Sequence, residues 1–226
     1  MMRFSPHQPR LGIHRLQYIY AWFFYCFMTL NWIVSKDFLQ LFRYKNMDLL
    51  KGQKRTFKGL FAELIVSKLV YIVLFVVLPV ILLPIPWYLT LLFFFIMHAL
   101  ASLIVGVIFQ CAHIMPFCEY PLPDDDGNIE NNFTMHQLLT TANFSPKNRL
   151  FSWFIGGLNF QIEHHLFPNI CHVHYRGISK IVKETAAEFG IPYNEHSNFY
   201  KAVKNHLYML RDLGRYDEVS VSYETK

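Results

Sequence analysis

The chain has 226 residues and a formal net charge of +5, with 53% hydrophobic, 17% aromatic and only 16% charged residues. Ordinary soluble domains are nearer a quarter charged. This composition excludes disordered, collagen-like and coiled-coil chains. The basic residues alternate with apolar runs, which argues against nucleic acid as a partner.

The first residues contain Pro6 and Pro9 but no apolar stretch after their charges, so they do not read as a signal peptide. Residues 18–34 follow, an aromatic run of about 17 residues, the lower limit for crossing a bilayer. Thr29, Asn31 and several Tyr and Trp give it an interfacial character. Both an interfacial helix and a short span remain open for it. Residues 36–58 carry Lys36, Arg43, Lys45, Lys51, Lys54, Arg55 and Lys58 against Asp37 and Asp48. That bias marks a cytoplasmic loop.

Residues 64–83 are long and apolar enough to span. Lys68 lies one turn from the cytoplasmic end, where it can snorkel, and Pro79 lies near the far end, where a kink is tolerable. The uncharged turn Pro84-Ile85-Pro86 is followed by Trp87 and Tyr88, placed for an interface belt. Residues 85–109 run back. Together these make a transmembrane hairpin with both ends on the basic side. His98 stands alone in mid-membrane and is assigned to helix packing.

From residue 111 to 226 the chain is more polar and is expected to form a cytoplasmic cap. Residues 121–132 are an acidic loop, and Gly156-Gly157 is a break. Residues 178–189 and 200–213 have apolar positions at helical spacing, stopped by Gly190 with Pro192 and by Gly214. His196 and His206 are expected on solvated faces, and the tail after Arg215 is expected to fray. Cys26, Cys111, Cys118 and Cys171 form no CxxC pair, consistent with reduced thiols. The fold class is therefore all-α: an integral membrane hairpin with a helical cap, in a single domain over 1–226.

The densest chemical signal is QIEHHLFP, residues 161–168. On a helix Gln161 falls on the same side as His164 and His165, three and four residues on. Two imidazoles and an amide then converge. Imidazole suits Fe, Zn, Cu or Ni. Glu163 points elsewhere on the wheel and is a candidate to orient a ligand from behind. A pair of polar histidines at a helix end is the plain alternative.

The stretch GGLNFQIEHHLFP (156–168) resembles the third histidine box of membrane fatty acid desaturases, in the Gln-first QxxHH form of the front-end and acyl-lipid branch. Residues 5–25 are similar to the stretch after that family's second box. FQCAH (109–113) resembles the segment leaving its transmembrane hairpin, and residues 138–175 resemble the family almost throughout. The resemblance implies that His164 and His165 are iron ligands, that His113 is a further ligand, and that Asn159 and Gln161 support them directly or through water. It implies a di-iron, O2-dependent desaturase acting on an acyl-lipid or acyl-CoA in the membrane. A separate ferredoxin or cytochrome b5 with its reductase would supply electrons, because the chain has no HPGG haem motif.

Two features depart from the family. The boxes HxxxH and HxxHH are absent, and residues 17–20 read QYIY where QHxY is common. Three imidazoles cannot hold two irons, so this chain alone is expected to be inactive. The family member would be N-terminally truncated here, with its first two boxes upstream of Met1. The alternatives are a subunit completed by a partner chain, a non-catalytic remnant, or a histidine-box hydroxylase.

Overall fold

The computed structural model describes residues 2–217, and the rest of the tail lies outside them. The chain divides into two units, Trp22–Gly106 and Met1–Ala21 with Val107–Lys226. The secondary structure is mostly helical. The elements run in order α1 (Gln17–Tyr25), α2 (Met28–Asn31), α3 (Asp37–Asn46), α4 (Phe57–Ile72), α5 (Leu78–Leu82), α6 (Trp87–His113), α7 (Phe133–Thr140), α8 (Arg149–Phe154), α9 (Gln161–Leu166), α10 (Tyr175–Glu188) and α11 (Phe199–Arg215). One departure from all-α is a two-residue parallel pairing of β1 (Asn143–Phe144) with β2 (Glu195–His196).

In the unit Trp22–Gly106, Phe57–Leu82 and Trp87–His113 are long and apolar enough to cross a membrane by length and composition. Two helices of membrane-spanning length thus stand where the two arms of the hairpin are expected. None of the first arm's apolar window is fully buried. Thr56 caps that arm by accepting from the Gly59 amide. A π-helical turn, Val73–Val77, precedes Pro79. Proline offers no N–H to the preceding turn, and one wide turn absorbs that loss without ending the helix.

Residues 37–46, expected as loop, form helix α3. The correction has a visible cause. Asp37 forms an ion pair with Lys68, so the charge expected to snorkel is neutralised in place. Phe38 and Phe42 pack on Phe61, and Phe42 also on Phe57. These contacts order a segment whose composition alone reads as solvated.

His98 is not alone. Its Nδ1 lies 2.8 Å from the Thr29 hydroxyl and its Nε2 lies 2.8 Å from the Tyr71 hydroxyl. Thr29 Oγ1 also lies 2.6 Å from Ser102 Oγ, and its amide donates to that oxygen at 2.9 Å. Four polar groups from α2, α4 and α6 thus satisfy one another among apolar side chains, where an unpaired one is costly.

In the second unit, Phe144 is fully buried at the centre of a core with Cys111, Met115 and Ala202, flanked by Phe151 and Phe199. Its burial contributes roughly 1.5–3 kcal/mol. The N-terminal segment is pinned rather than loose. The buried Arg3 guanidinium donates to the Leu213 and Tyr216 carbonyls, each at 2.7 Å. Gln17 Nε2 donates to the Leu210 carbonyl at 2.8 Å. Gly214 does not stop α11; it lies inside it, where a Cβ would come 2.0 Å from the His14 carbonyl oxygen. Gly190, at φ +66°, does end its helix.

His196 and His206 are also corrected. Both are buried, and His206 Nδ1 lies 3.0 Å from the Ile114 carbonyl oxygen. Burial lowers each imidazole to about 4. They stay neutral in the fold but titrate near 6.5 once exposed, so the unfolded chain binds more protons. Their stabilisation is complete above pH 6.5 and is lost as pH falls toward 4, by up to about 3 kcal/mol each. Unfolding midpoints measured from pH 7.5 to 4 are expected to fall across that window, and less steeply in His206→Gln. In the other unit, Tyr71→Phe is expected to cost about 1 kcal/mol, as one hydrogen bond among apolar helices does. His98→Ala should cost more in the same detergent unfolding assay, since it leaves two hydroxyls short of a partner.

Candidate metal centre

His113 is the last residue of α6. The amide of Ala142 donates to the Ala112 carbonyl at 2.9 Å and ties that helix end to the segment entering β1. His164 and His165 lie in the second half of α9, a helix of only 6 residues. So short a helix is not stable by itself, and the surroundings must place it.

Three devices do so. Gly156 and Gly157 both have positive φ, and a Cβ on Gly157 would come 2.9 Å from His172 Cβ. That turn needs glycine. Next, no local side chain caps α9. Asn143 acts from a distance, its Oδ1 accepting from the Ile162 amide at 3.0 Å. That satisfies one of the first-turn donors a helix leaves unpaired. Finally, Glu163 is completely buried. Its Oε2 accepts from Asn143 Nδ2 at 2.7 Å and its Oε1 from the Tyr193 hydroxyl at 2.8 Å. Asn143 Nδ2 also donates to the Tyr193 oxygen at 2.7 Å. The three side chains close a triangle. Burial raises the Glu163 carboxyl, and the bonds from Asn143 and Tyr193 hold part of that rise back.

With α9 held by its buried face, its histidines project from the other. The His113 and His165 rings lie 5.0 Å apart between centroids, at 67°. His164 and His165 lie 5.8 Å apart, at 89°. Burial lowers His165 to about 4, with His113 and His164 adding to the effect. A neutral imidazole keeps a lone pair for a metal. His164 Nδ1 lies 3.3 Å from the Tyr175 hydroxyl.

The other residues singled out from the sequence are placed as follows. Gln161 is buried and its Nε2 donates to the Leu158 carbonyl at 2.8 Å. Asn159 is buried, donates to the Ser145 carbonyl at 3.3 Å and leaves Oδ1 without a partner. Asn143, Tyr193 and Tyr175 were not singled out. Nothing local marks them, because their partners lie 20, 30 and 11 positions away.

Iron matches this donor set in kind, as imidazoles side by side. It does not match in number. Among the described residues no group of three or more His, Cys, Asp or Glu side chains converges to hold a metal ion.

Residues 4–197 match the family model described as fatty acid desaturase. The chain is 34% identical over 217 residues to the sn-1 linoleoyl-lipid 6-desaturase of Synechocystis sp., covering 95% of this chain and 59% of that protein. It is 30% identical to the Arthrospira platensis protein of the same name, covering 100% of this chain and 59% of that one. It is 33% identical to the acyl-lipid (8-3)-desaturase of Physcomitrium patens, covering 94% of this chain and 44% of that protein. The chain thus spans about half the length of the curated relatives it matches. No solved structure matches it.

The buried triangle makes a quantitative prediction. Glu163→Ala strands two buried donors and is expected to lower the unfolding free energy by about 3 kcal/mol. Tyr193→Phe is expected to cost about 1.5 kcal/mol. The double variant should cost less than the sum by at least about 0.5 kcal/mol. Additive losses in denaturant titrations would mean the three side chains do not act as one network.

Proposed function

The chain belongs to the fatty acid desaturase family, and from that premise we propose that it forms the C-terminal, histidine-bearing part of an O2-dependent acyl-lipid desaturase. The observation that carries this reading is the contact of His113, from the end of a membrane-length helix, with His165 of α9, whose ring also neighbours that of His164. These three imidazoles would hold iron, and the remaining ligands would come from an upstream segment or a partner chain. Bound iron would supply the activation of O2 that removes hydrogens from adjacent methylenes of an acyl chain.

The chain's own residues contribute position and protonation. Burial keeps His165 neutral at cellular pH, so its lone pair needs no deprotonation. Tyr175, accepting from His164 Nδ1–H, would fix the tautomer that presents Nε2. The Glu163 triangle keeps α9 from rotating, so both histidines stay on the face toward His113. Gln161 and Asn159 hold the α9 entry backbone, and the unpartnered Asn159 Oδ1 is a place for a water that reaches a ligand.

The relatives covering almost all of this chain are named for acyl-lipid substrates, which favours an acyl-lipid over an acyl-CoA. An apolar substrate of that kind resides in the bilayer, which matches two membrane-length helices. The basic bias of 36–58 supports a site on the cytoplasmic face. A separate ferredoxin or cytochrome b5 with its reductase would deliver the two electrons each double bond requires.

The test uses the protein from its native membranes. Its intact mass is expected to exceed 26.8 kDa or to be accompanied by a second histidine-box chain. Metal analysis should find iron. His164→Ala or His165→Ala should each lower bound iron and cut double-bond formation, read by gas chromatography of acyl esters, by at least about 100-fold. Unchanged product and iron in both variants would defeat the reading.

A further inference from the structure

A groove of about 800 Å³ opens within the unit Trp22–Gly106, between α3, the turn that follows it and the first turns of α4. That volume lies inside the roughly 300–1,000 Å³ range of small-molecule sites. Its walls are mainly Leu41, Leu49, Leu50, Leu60 and Leu64, with Tyr44. It lies beside the end of α4 that follows the basic segment, well away from Leu82. On the reading of α4 as a span, that end meets the lipid headgroups.

The charges around the groove are unequal. Glu63 lines it but is paired with Arg55. Asp48 is paired with Lys51 at 2.7 Å and Asp37 with Lys68. Every acid of this segment is thus neutralised. Arg43, Lys54 and Lys58 are exposed and have no acidic partner among the described residues. Lys45 lies over the Phe57 ring, 4.5 Å from its centroid, which leaves its positive charge in place. Arg43 adjoins the lining residue Tyr44 in sequence and Lys54 adjoins Gln53, and an apolar trough with uncompensated cations next to its lining residues suits a ligand that joins a hydrocarbon chain to an anion. A phospholipid with a net negative headgroup has that form. An acidic protein would use the cations but leave the trough unfilled.

We infer that this groove binds an anionic phospholipid, one acyl chain along the leucines and the phosphate against Lys54, Lys58 and Arg43. The site is separate from the histidines and does not depend on the chain being a desaturase. The bound lipid would fill the space between α3 and α4.

The test is native mass spectrometry of the full chain in dodecylmaltoside micelles, titrated with POPG or POPC. One POPG per chain is expected to be retained, at least about fivefold more tightly than POPC. Lys54→Gln and Lys58→Gln, both exposed and harmless to the fold, should each weaken POPG about fivefold and leave POPC unchanged. Leu60→Trp, which fills the trough, should abolish retention of both lipids in protein that remains monodisperse. Equal retention of POPG and POPC would overturn the inference, as would POPG binding that survives Leu60→Trp. Saturable binding of a [2Fe–2S] ferredoxin to the same lysines, without POPG retention, would assign the face to a protein instead.

Discussion

A carboxylate with no exposure to water, Glu163, sits one residue before the two histidines. Everything about the site follows from the need to satisfy it. A buried carboxyl without partners would destabilise the fold by several kcal/mol. Here Asn143 and Tyr193 donate to both its oxygens. Asn143 uses its remaining oxygen to cap α9, and its backbone forms the β1–β2 pairing. One polar cluster thus joins the segments around residues 143, 163 and 193, and it sets the rotation of a helix too short to set its own. The imidazoles face outward because the carboxylate faces in.

The same rule operates among the membrane-length helices. Hydrocarbon offers no water to a polar side chain, and several of those present are paired, although the buried Thr90 hydroxyl has no partner among the described residues. His98 bonds Thr29 and Tyr71, Lys68 bonds Asp37, and the wide turn before Pro79 absorbs a missing amide hydrogen bond. These pairings also explain why residues 28–46 are helical despite their mixed composition. The segment supplies the acid and the hydroxyl that the hairpin requires.

The structure shows His113 beside His165 on a short helix that the Glu163 cluster holds. A ligand set shared between segments needs each contributor to be rigid before the metal arrives, since a misplacement of about 1 Å is costly. On the proposed reading, the hydrogen bonds that hold the end of α6 and the buried side of α9 would supply that rigidity. The anionic-lipid groove is a separate matter of charge balance, in which every local acid is already neutralised by a cation and further cations remain.

Much of this was legible in the sequence. Apolar run length determined the two membrane-length helices, because an apolar stretch of that length forms a continuous helix. The QIEHH spacing determined that His164 and His165 share a helix end, because helical periodicity is local. Helix α10 and its stop at Gly190 were visible for the same reason. The tertiary structure alone decided what depends on distant partners. It buried His206 and His196, which read as solvated, and drew Arg3 and Gln17 onto α11. It gave His98 its partners and turned residues 37–46 from loop to helix. It placed Gly214 inside a helix, where the close approach of His14 excludes a side chain. It joined His113 to His165 across 52 positions. Periodicity and composition act over a few residues; hydrogen-bond satisfaction and close packing act across the whole chain, and only the folded arrangement reveals which groups meet.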